Sequence, residues 1–237
     1  MVEKDAPAED AGIQRRYRRR TALFLSVAVA ALTAMGAIAW TVNAVERVNA
    51  VEAERDSWQR PADVMQALDL GDGKVVADLG SGVGYFALKL ADRVGRRGRV
   101  LAVDVRRFPL MFLRVRALLR GVRNLEAVHG EPDDPHLPAG GVDAVLVANT
   151  FHELEDLELI LGRTKEALRS AGRLVVVDPS PNDAVAAPSG SQIHHHQSPD
   201  SAEARLRQTG FEIVSRDDRF VDESSHGRWW LIVARKP

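Results

Sequence analysis

Cysteine is absent from all 237 residues. Disulfides, thiolate metal sites and cysteine nucleophiles are therefore excluded, and the redox compartment leaves no trace in the sequence. Charge of one sign is missing too. The 32 Lys and Arg residues balance 33 Asp and Glu, a formal net charge of −1. Such a chain carries no overall nucleic-acid footprint, and no nucleic-acid partner is expected. There are no internal repeats. Two nucleotide motifs are missing as well. No G-x-x-x-x-G-K-[ST] string follows an apolar run, which excludes a phosphate-gripping loop. The dinucleotide pattern G-x-G-x-x-G fails by one residue, because Gly80 and Gly82 require a glycine at position 85, where Tyr85 stands.

What is present begins with a long apolar run. Thr21 to Val42 carries no charge and, as a helix, matches the hydrocarbon thickness of a bilayer. Arg15, Arg16, Arg18, Arg19 and Arg20 precede it. A cleaved signal peptide is one reading, since Val42 to Ala44 is a passable cleavage site. The length favours the other, an uncleaved single-pass anchor. The basic block predicts that the N-terminal side stays in the cytoplasm, which places the remainder across the membrane. Four segments are expected: residues 1–20 a disordered basic tail, 21–42 the span, 43–60 a linker helix, and 61–237 one α/β domain of ordinary composition.

Within 61–237 apolar runs alternate with helical patterns. Strands are expected at "KVVADL", "RVLAVDV", "LEAVHG", "VDAVLVANT" and "GRLVVVDPS". Helices are expected at "PADVMQALDL", after the glycine turn, at "PLMFLRVRALLR", at "DLELILGRTKEALRS" and at "DSAEARLRQTG". The last two strands, "FEIVSRDDRF" and "RWWLIVARK", follow without a helix between them. That alternation predicts a seven-stranded, mostly parallel sheet with helices on both faces and one antiparallel strand. "PSPNDAVAAPSGSQIHHHQSPD" reads as a long loop.

The stretch that carries chemistry is "VVADLGSGVGYF". Asp78 ends an apolar strand, and Gly80, Gly82 and Gly84 follow at alternate positions before a helical pattern. Glycine there lets the chain turn with positive φ and lets a ligand approach the backbone. Ligands of α/β sheets sit beyond the carboxyl ends of the strands. A second acid, Asp104, ends the next strand.

With D-x-G-x-G-x-G and two strand-ending acids, the chain from about Trp58 onward resembles the class I S-adenosylmethionine-dependent methyltransferases, with their Rossmann-like fold. The resemblance implies S-adenosylmethionine as cofactor. It sets the methionine part against Gly80, Gly82 and Gly84, with Asp78 near the ammonium group. Asp104 then takes both ribose hydroxyls, for which two carboxylate oxygens are suited. Glu131 or Asp133, after the third strand, meets the adenine amine. "ERDSWQRP", "DDPHLP" and "NTFHEL" are similar to motifs of a bacterial methyltransferase subgroup, which implies the bacterial inner membrane as location. That subgroup tends to read D-T-Y-H where this chain has Asn149, Thr150, Phe151 and His152. Asn149 is carried over as a cofactor contact. His195 matches the subgroup's histidine ahead of the last helix and is expected at a lid over the substrate.

His152 has two readings, a general base in the useful pH range and a hydrogen-bonded structural histidine. Trp58 either faces the cofactor entrance or is a packing staple. His194 to His196 are adjacent, which is poor spacing for a metal, and none is expected. The implied activity is methyl transfer to a small-molecule, lipid-like or membrane-associated acceptor. Two alternatives are a non-catalytic cofactor-binding or scaffold protein on this fold and a nicotinamide-dependent oxidoreductase. Oligomeric state leaves no signal in the sequence.

Overall fold

The computed structural model describes residues 8–181 and 197–237. The chain divides into two compact units, one up to Ala53 and one from Glu54 to Pro237. A single helix, α1, runs from Ala8 to Trp58. It begins inside the stretch expected to be a disordered tail and shows no break between the expected span and linker. Ala, Glu, Gln and Arg dominate its first turns, and these residues favour helix. Residues Leu23–Trp58 of α1 are long and apolar enough to cross a membrane.

The second unit is the expected α/β sandwich. After α2 (Pro61–Ala67), whose proline occupies the first turn, come β1 (Val75–Leu79), α3 (Tyr85–Val94), β2 (Arg99–Asp104) and α4 (Arg107–Leu119). They are followed by β3 (Leu125–His129), β4 (Val142–Ala148), a short 3-10 turn (Phe151–Glu153), α5 (Leu157–Ala167) and β5 (Leu168–Pro179). α6 (Pro199–Gln208), β6 (Glu212–Glu223) and β7 (Gly227–Arg235) complete it. The seven strands form one sheet in the order β3-β2-β1-β4-β5-β7-β6. β1 to β5 pair in parallel, and β7 runs antiparallel to both its neighbours.

Burial explains the apolar strands. Val76, Leu90, Leu113 and Val175 belong to a core layer on one face, with α2, α3 and α4. Val145, Ile160, Leu206 and Trp230 belong to the layer on the other face, with α5 and α6. Strands covered on both sides read as continuous hydrophobic runs. One boundary differs from expectation. α5 stops at Ala167 because Leu168 pairs with Val142 as the first residue of β5, with a register shift between Val142 and Ala144. The strand order reverses between β1 and β4, and that crevice is where such sheets take ligands.

Candidate functional site

The glycine turn leaves β1 at this switch point. Gly80, Gly82 and Gly84 have φ of 73°, 53° and 94°. The backbone N–H groups of Gly80 and Ser81 both donate to the Val103 carbonyl at 2.9 Å, which stitches the turn to the end of β2. A Cβ at Gly80 would come within 2.7 Å of the Thr150 Cβ, so that glycine permits a close chain approach. Gly82 differs. A Cβ there would meet nothing within 4 Å. Arg116, fully buried in α4, donates to the Val83 carbonyl at 2.6 Å and braces the turn from behind.

Two buried carboxylates flank this turn. Asp104 accepts the Gly82 N–H at 2.9 Å and the Arg106 N–H at 2.8 Å. The Arg106 guanidinium lies against the same carboxylate, with Nε at 3.1 Å. Asp78 is 3% exposed. Burial pushes its carboxyl up to about 7; the Ala87 N–H opposes that rise, the charge of Asp104 adds to it, and Arg55 opposes it.

Two cavities open around these groups, and they share Gly80, Arg106, Thr150 and Glu153. The first is also lined by Leu79, Asp104, Glu131 and Ile160. The second is also lined by Arg55, Asp78, Gly82, Tyr85 and Asn149. Of the two candidate adenine contacts, Glu131 lines the first cavity. Asp133 is exposed and lines neither. Asn149 sits at φ 56°, a conformation asparagine tolerates, and its N–H donates to Val177 at 2.8 Å.

His152 lines neither cavity. Its Nδ1 lies 2.9 Å from Oδ2 of Asp178, a wholly buried residue of β5, and its backbone N–H donates to the same oxygen at 3.1 Å. Burial works against charge on the ring, but the hydrogen bond and charge of Asp178, helped by Glu153, prevail and raise its pKa. Nε2 lies 3.8 Å from Oε1 of Glu153, which lines both cavities.

Trp58 also lines neither cavity. Its ring stacks on His226 at 4.3 Å and tilts against Trp229 at 5.5 Å, a packing position at the β6–β7 hairpin. Its neighbours reach the turn instead. Arg55 lies 3.9 Å over the Tyr85 ring, and Asp56 accepts the Tyr85 hydroxyl at 2.7 Å. His195 lies outside the described residues, as do His194 and His196. Among the described residues no cluster of His, Asp and Glu could hold a metal.

Sequence reasoning missed Arg55, Arg106, Arg116 and Asp178. Asp178 left a signal, since it ends a strand as Asp78 and Asp104 do. Arg116 left none, because a single arginine in a helical pattern reads as solvent-facing.

A family model described as a methyltransferase domain matches residues 70–222. Nocamycin O-methyltransferase of Saccharothrix syringae is 31% identical over 48% of this chain and 42% of its own length. Demethylmenaquinone methyltransferase of Geobacillus kaustophilus is 24% identical over 57% of this chain and 58% of its own. The chain thus spans about half the length of these curated relatives. Among solved structures, an S-adenosylmethionine-dependent methyltransferase from Aquifex aeolicus superposes with a TM-score of 0.66 at 23% identity, over 75% of this chain and 89% of that one. The [4+2]-cyclase SpnF superposes at 0.64 with 17% identity, over 76% and 81%. At such identities the superpositions establish the fold alone.

Proposed function

The chain belongs to the methyltransferase-domain family matched over its residues 70–222, and from that premise we propose that it is a membrane-anchored, S-adenosylmethionine-dependent methyltransferase acting on a small, lipid-soluble acceptor. The observation that carries this reading is the pair of buried carboxylates, Asp78 and Asp104, on either side of a turn that leaves open space at Gly82. A carboxyl pushed up to about 7 by burial gains most from a nearby cation, such as an ammonium group. Asp104 lines the cavity wall, where a pair of ribose hydroxyls can exchange with the guanidinium of exposed Arg106. The residues present therefore fit the cofactor.

When bound, the cofactor supplies a methyl group already activated by a positive sulfur. The protein's part is orientation, holding methyl and acceptor in line while water is excluded. Apolar Leu79, Val103, Leu154 and Ile160 line the first cavity and serve exclusion. A base is needed only where the acceptor carries a proton. We assign His152 to that role through Glu153, which lies 3.8 Å from its Nε2 and lines both cavities, while Asp178 holds the ring at Nδ1.

An apolar acceptor is supported by two observations. One curated relative is named for demethylmenaquinone, an apolar substrate. Residues Leu23–Trp58 would keep this domain at a bilayer, where apolar acceptors dissolve. The non-catalytic alternative draws on the altered fourth-strand motif, where Asn149 and Phe151 stand in place of an acid and a tyrosine. Phe151, however, is fully buried against Trp230, so a hydroxyl at that position would face the core and neither cavity.

The test is calorimetric titration of S-adenosylmethionine into the full chain in detergent, with Asp104→Asn alongside. The substitution should weaken binding at least tenfold, the loss of a charge-assisted pair of hydrogen bonds worth about 1.5–3 kcal/mol each. Equal affinity in both proteins would remove Asp104 from the site. No binding to the folded wild-type chain would end the reading. Transfer of labelled methyl into an extract of membrane lipids then identifies the acceptor class.

A further inference from the structure

α4 is apolar on two faces. Leu110, Leu113 and Ala117 turn into the core. At about 100° per residue, Phe108, Met111, Phe112, Val115, Leu118 and Leu119 share a separate arc roughly 120° wide. Four of these are exposed, Phe108 65%, Met111 56%, Leu118 79% and Leu119 57%, while Phe112 and Val115 are half-buried. Val105, just ahead of the helix, is 51% exposed. A helix that is apolar nearly all round is ordinarily buried, and a contiguous exposed apolar patch marks an interaction surface.

The rim of this patch is basic. Arg107 and Arg114 run along one side of the arc and are exposed. Beyond the C-terminal end of α4 lies a depression lined by Arg96, Arg97, Arg99, Arg114, Arg120 and Arg123. Asp92 and Glu126 also line it; Glu126 pairs with Arg99, and Arg97 pairs with Asp72. The chain as a whole has a formal charge of −1, so this concentration of arginine is local.

We propose that α4 and the arginines beyond it form a docking face for the surface of a bilayer carrying anionic lipids. Apolar side chains beside clustered basic ones match the interfacial region, where acyl chains meet negative headgroups. Phosphate alone would not call for Phe108, Met111, Leu118 and Leu119 in water. A second copy of the chain fits poorly, because an isologous contact would set two arginine rims against each other. The occupant also suits the rest of the chain, which carries a helix long and apolar enough to cross a membrane. Docking has a consequence for access. Arg106 lines both cavities and Pro109 the second, so the start of α4 borders their mouths. A docked α4 brings those mouths to the lipid, and an apolar acceptor reaches them without crossing water. The proposal rests on the anchoring reading only for the domain's nearness to the bilayer, and not on methyl transfer.

The absence of cysteine makes the test direct, since any introduced thiol is unique. The full chain is reconstituted into phosphatidylcholine vesicles, with and without phosphatidylglycerol, carrying an environment-sensitive fluorophore at Leu118→Cys, at Asp217→Cys on β6, or at Leu32→Cys within α1. Spin-labelled lipids serve as quenchers. The label at position 118 should be quenched several-fold more than that at 217, and more strongly with phosphatidylglycerol. Arg114→Glu combined with Arg120→Glu should return it to the level of 217, with an unchanged melting temperature showing that the fold survives. Equal quenching at 118 and 217, while 32 is quenched, would overturn docking and leave the anchor standing. No quenching at 32 or 118 would overturn both. Shielding of 118 in detergent that grows with protein concentration would identify a second copy as the occupant and overturn the proposal.

Discussion

Asp78 lies wholly inside the protein beside a second carboxylate, and its carboxyl is pushed from the usual 3.8 up to about 7 by burial. Between those values the unfolded chain has released this proton and the folded chain retains it. The unfolded state therefore binds fewer protons, and this group's contribution to stability falls as pH rises from about 4 to about 7. Asp78→Asn should flatten that slope, measured as melting temperature against pH without cofactor. Cofactor binding near pH 6.5 should also release a proton from Asp78, seen as a binding heat that changes with buffer ionisation enthalpy. At pH 9 the effect should vanish. His152 behaves in the opposite sense. Its pKa is raised in the fold, so the stabilisation from its pair with Asp178 is complete below about 6.5 and is lost as pH rises through the folded value. The destabilisation caused by Asp178→Asn should thus be larger at pH 6 than at pH 9. His152→Ala should lower turnover on a proton-bearing acceptor by at least tenfold with cofactor affinity unchanged, as expected of an acid–base group. Unchanged turnover would leave His152 only its structural bond to Asp178.

The turn between β1 and α3 shows how one element answers two demands. Gly80 and Gly82 both have positive φ, which costs an L-residue about 1–2 kcal/mol. Only at Gly80 does a side chain also run into the protein, at Thr150. Gly80→Ala should therefore destabilise by more than about 2 kcal/mol, read by chemical denaturation, since collision adds to the backbone penalty. Gly82→Ala should lose only about 1 kcal/mol yet bind cofactor far more weakly, because its methyl enters the space beside Asp104. Equal effects of the two substitutions on stability would show that open space at Gly82 plays no separate part. The element was legible in the sequence because glycine spacing and a strand-ending acid are local signals. Its bracing was not. Arg116 reaches Val83 across 33 positions of sequence, and only packing brings a guanidinium under that turn.

At the scale of the molecule, the chain divides into two compact units between Ala53 and Glu54. If the second binds cofactor by itself, deleting residues 21–42 should abolish flotation with vesicles of phosphatidylcholine alone and leave S-adenosylmethionine affinity within about twofold, a difference under RT ln 2, or about 0.4 kcal/mol. Loss of affinity together with flotation would show that the site depends on the span. The basic block at Arg15 to Arg20 predicts a domain across the membrane from the cytoplasm, where S-adenosylmethionine is made. A reporter fused after Pro237 decides the side, and activity only in the cytoplasm would overturn the exported orientation.

The sequence by itself determined the α/β alternation, the antiparallel last pair and the glycine turn between two strand-ending acids, because each depends on residues close together in the chain. It also marked an apolar segment that fits a bilayer. Tertiary structure alone decided which polar groups meet. It brought Arg55 over Tyr85 and Asp178 under His152, placed Glu131 and not Asp133 at a cavity, and turned Trp58 away into the packing of His226 and Trp229. It decided too that α4 keeps a second apolar face in the open. Periodicity reports that a helix has apolar residues, but which of them find a partner depends on surfaces contributed from elsewhere in the chain.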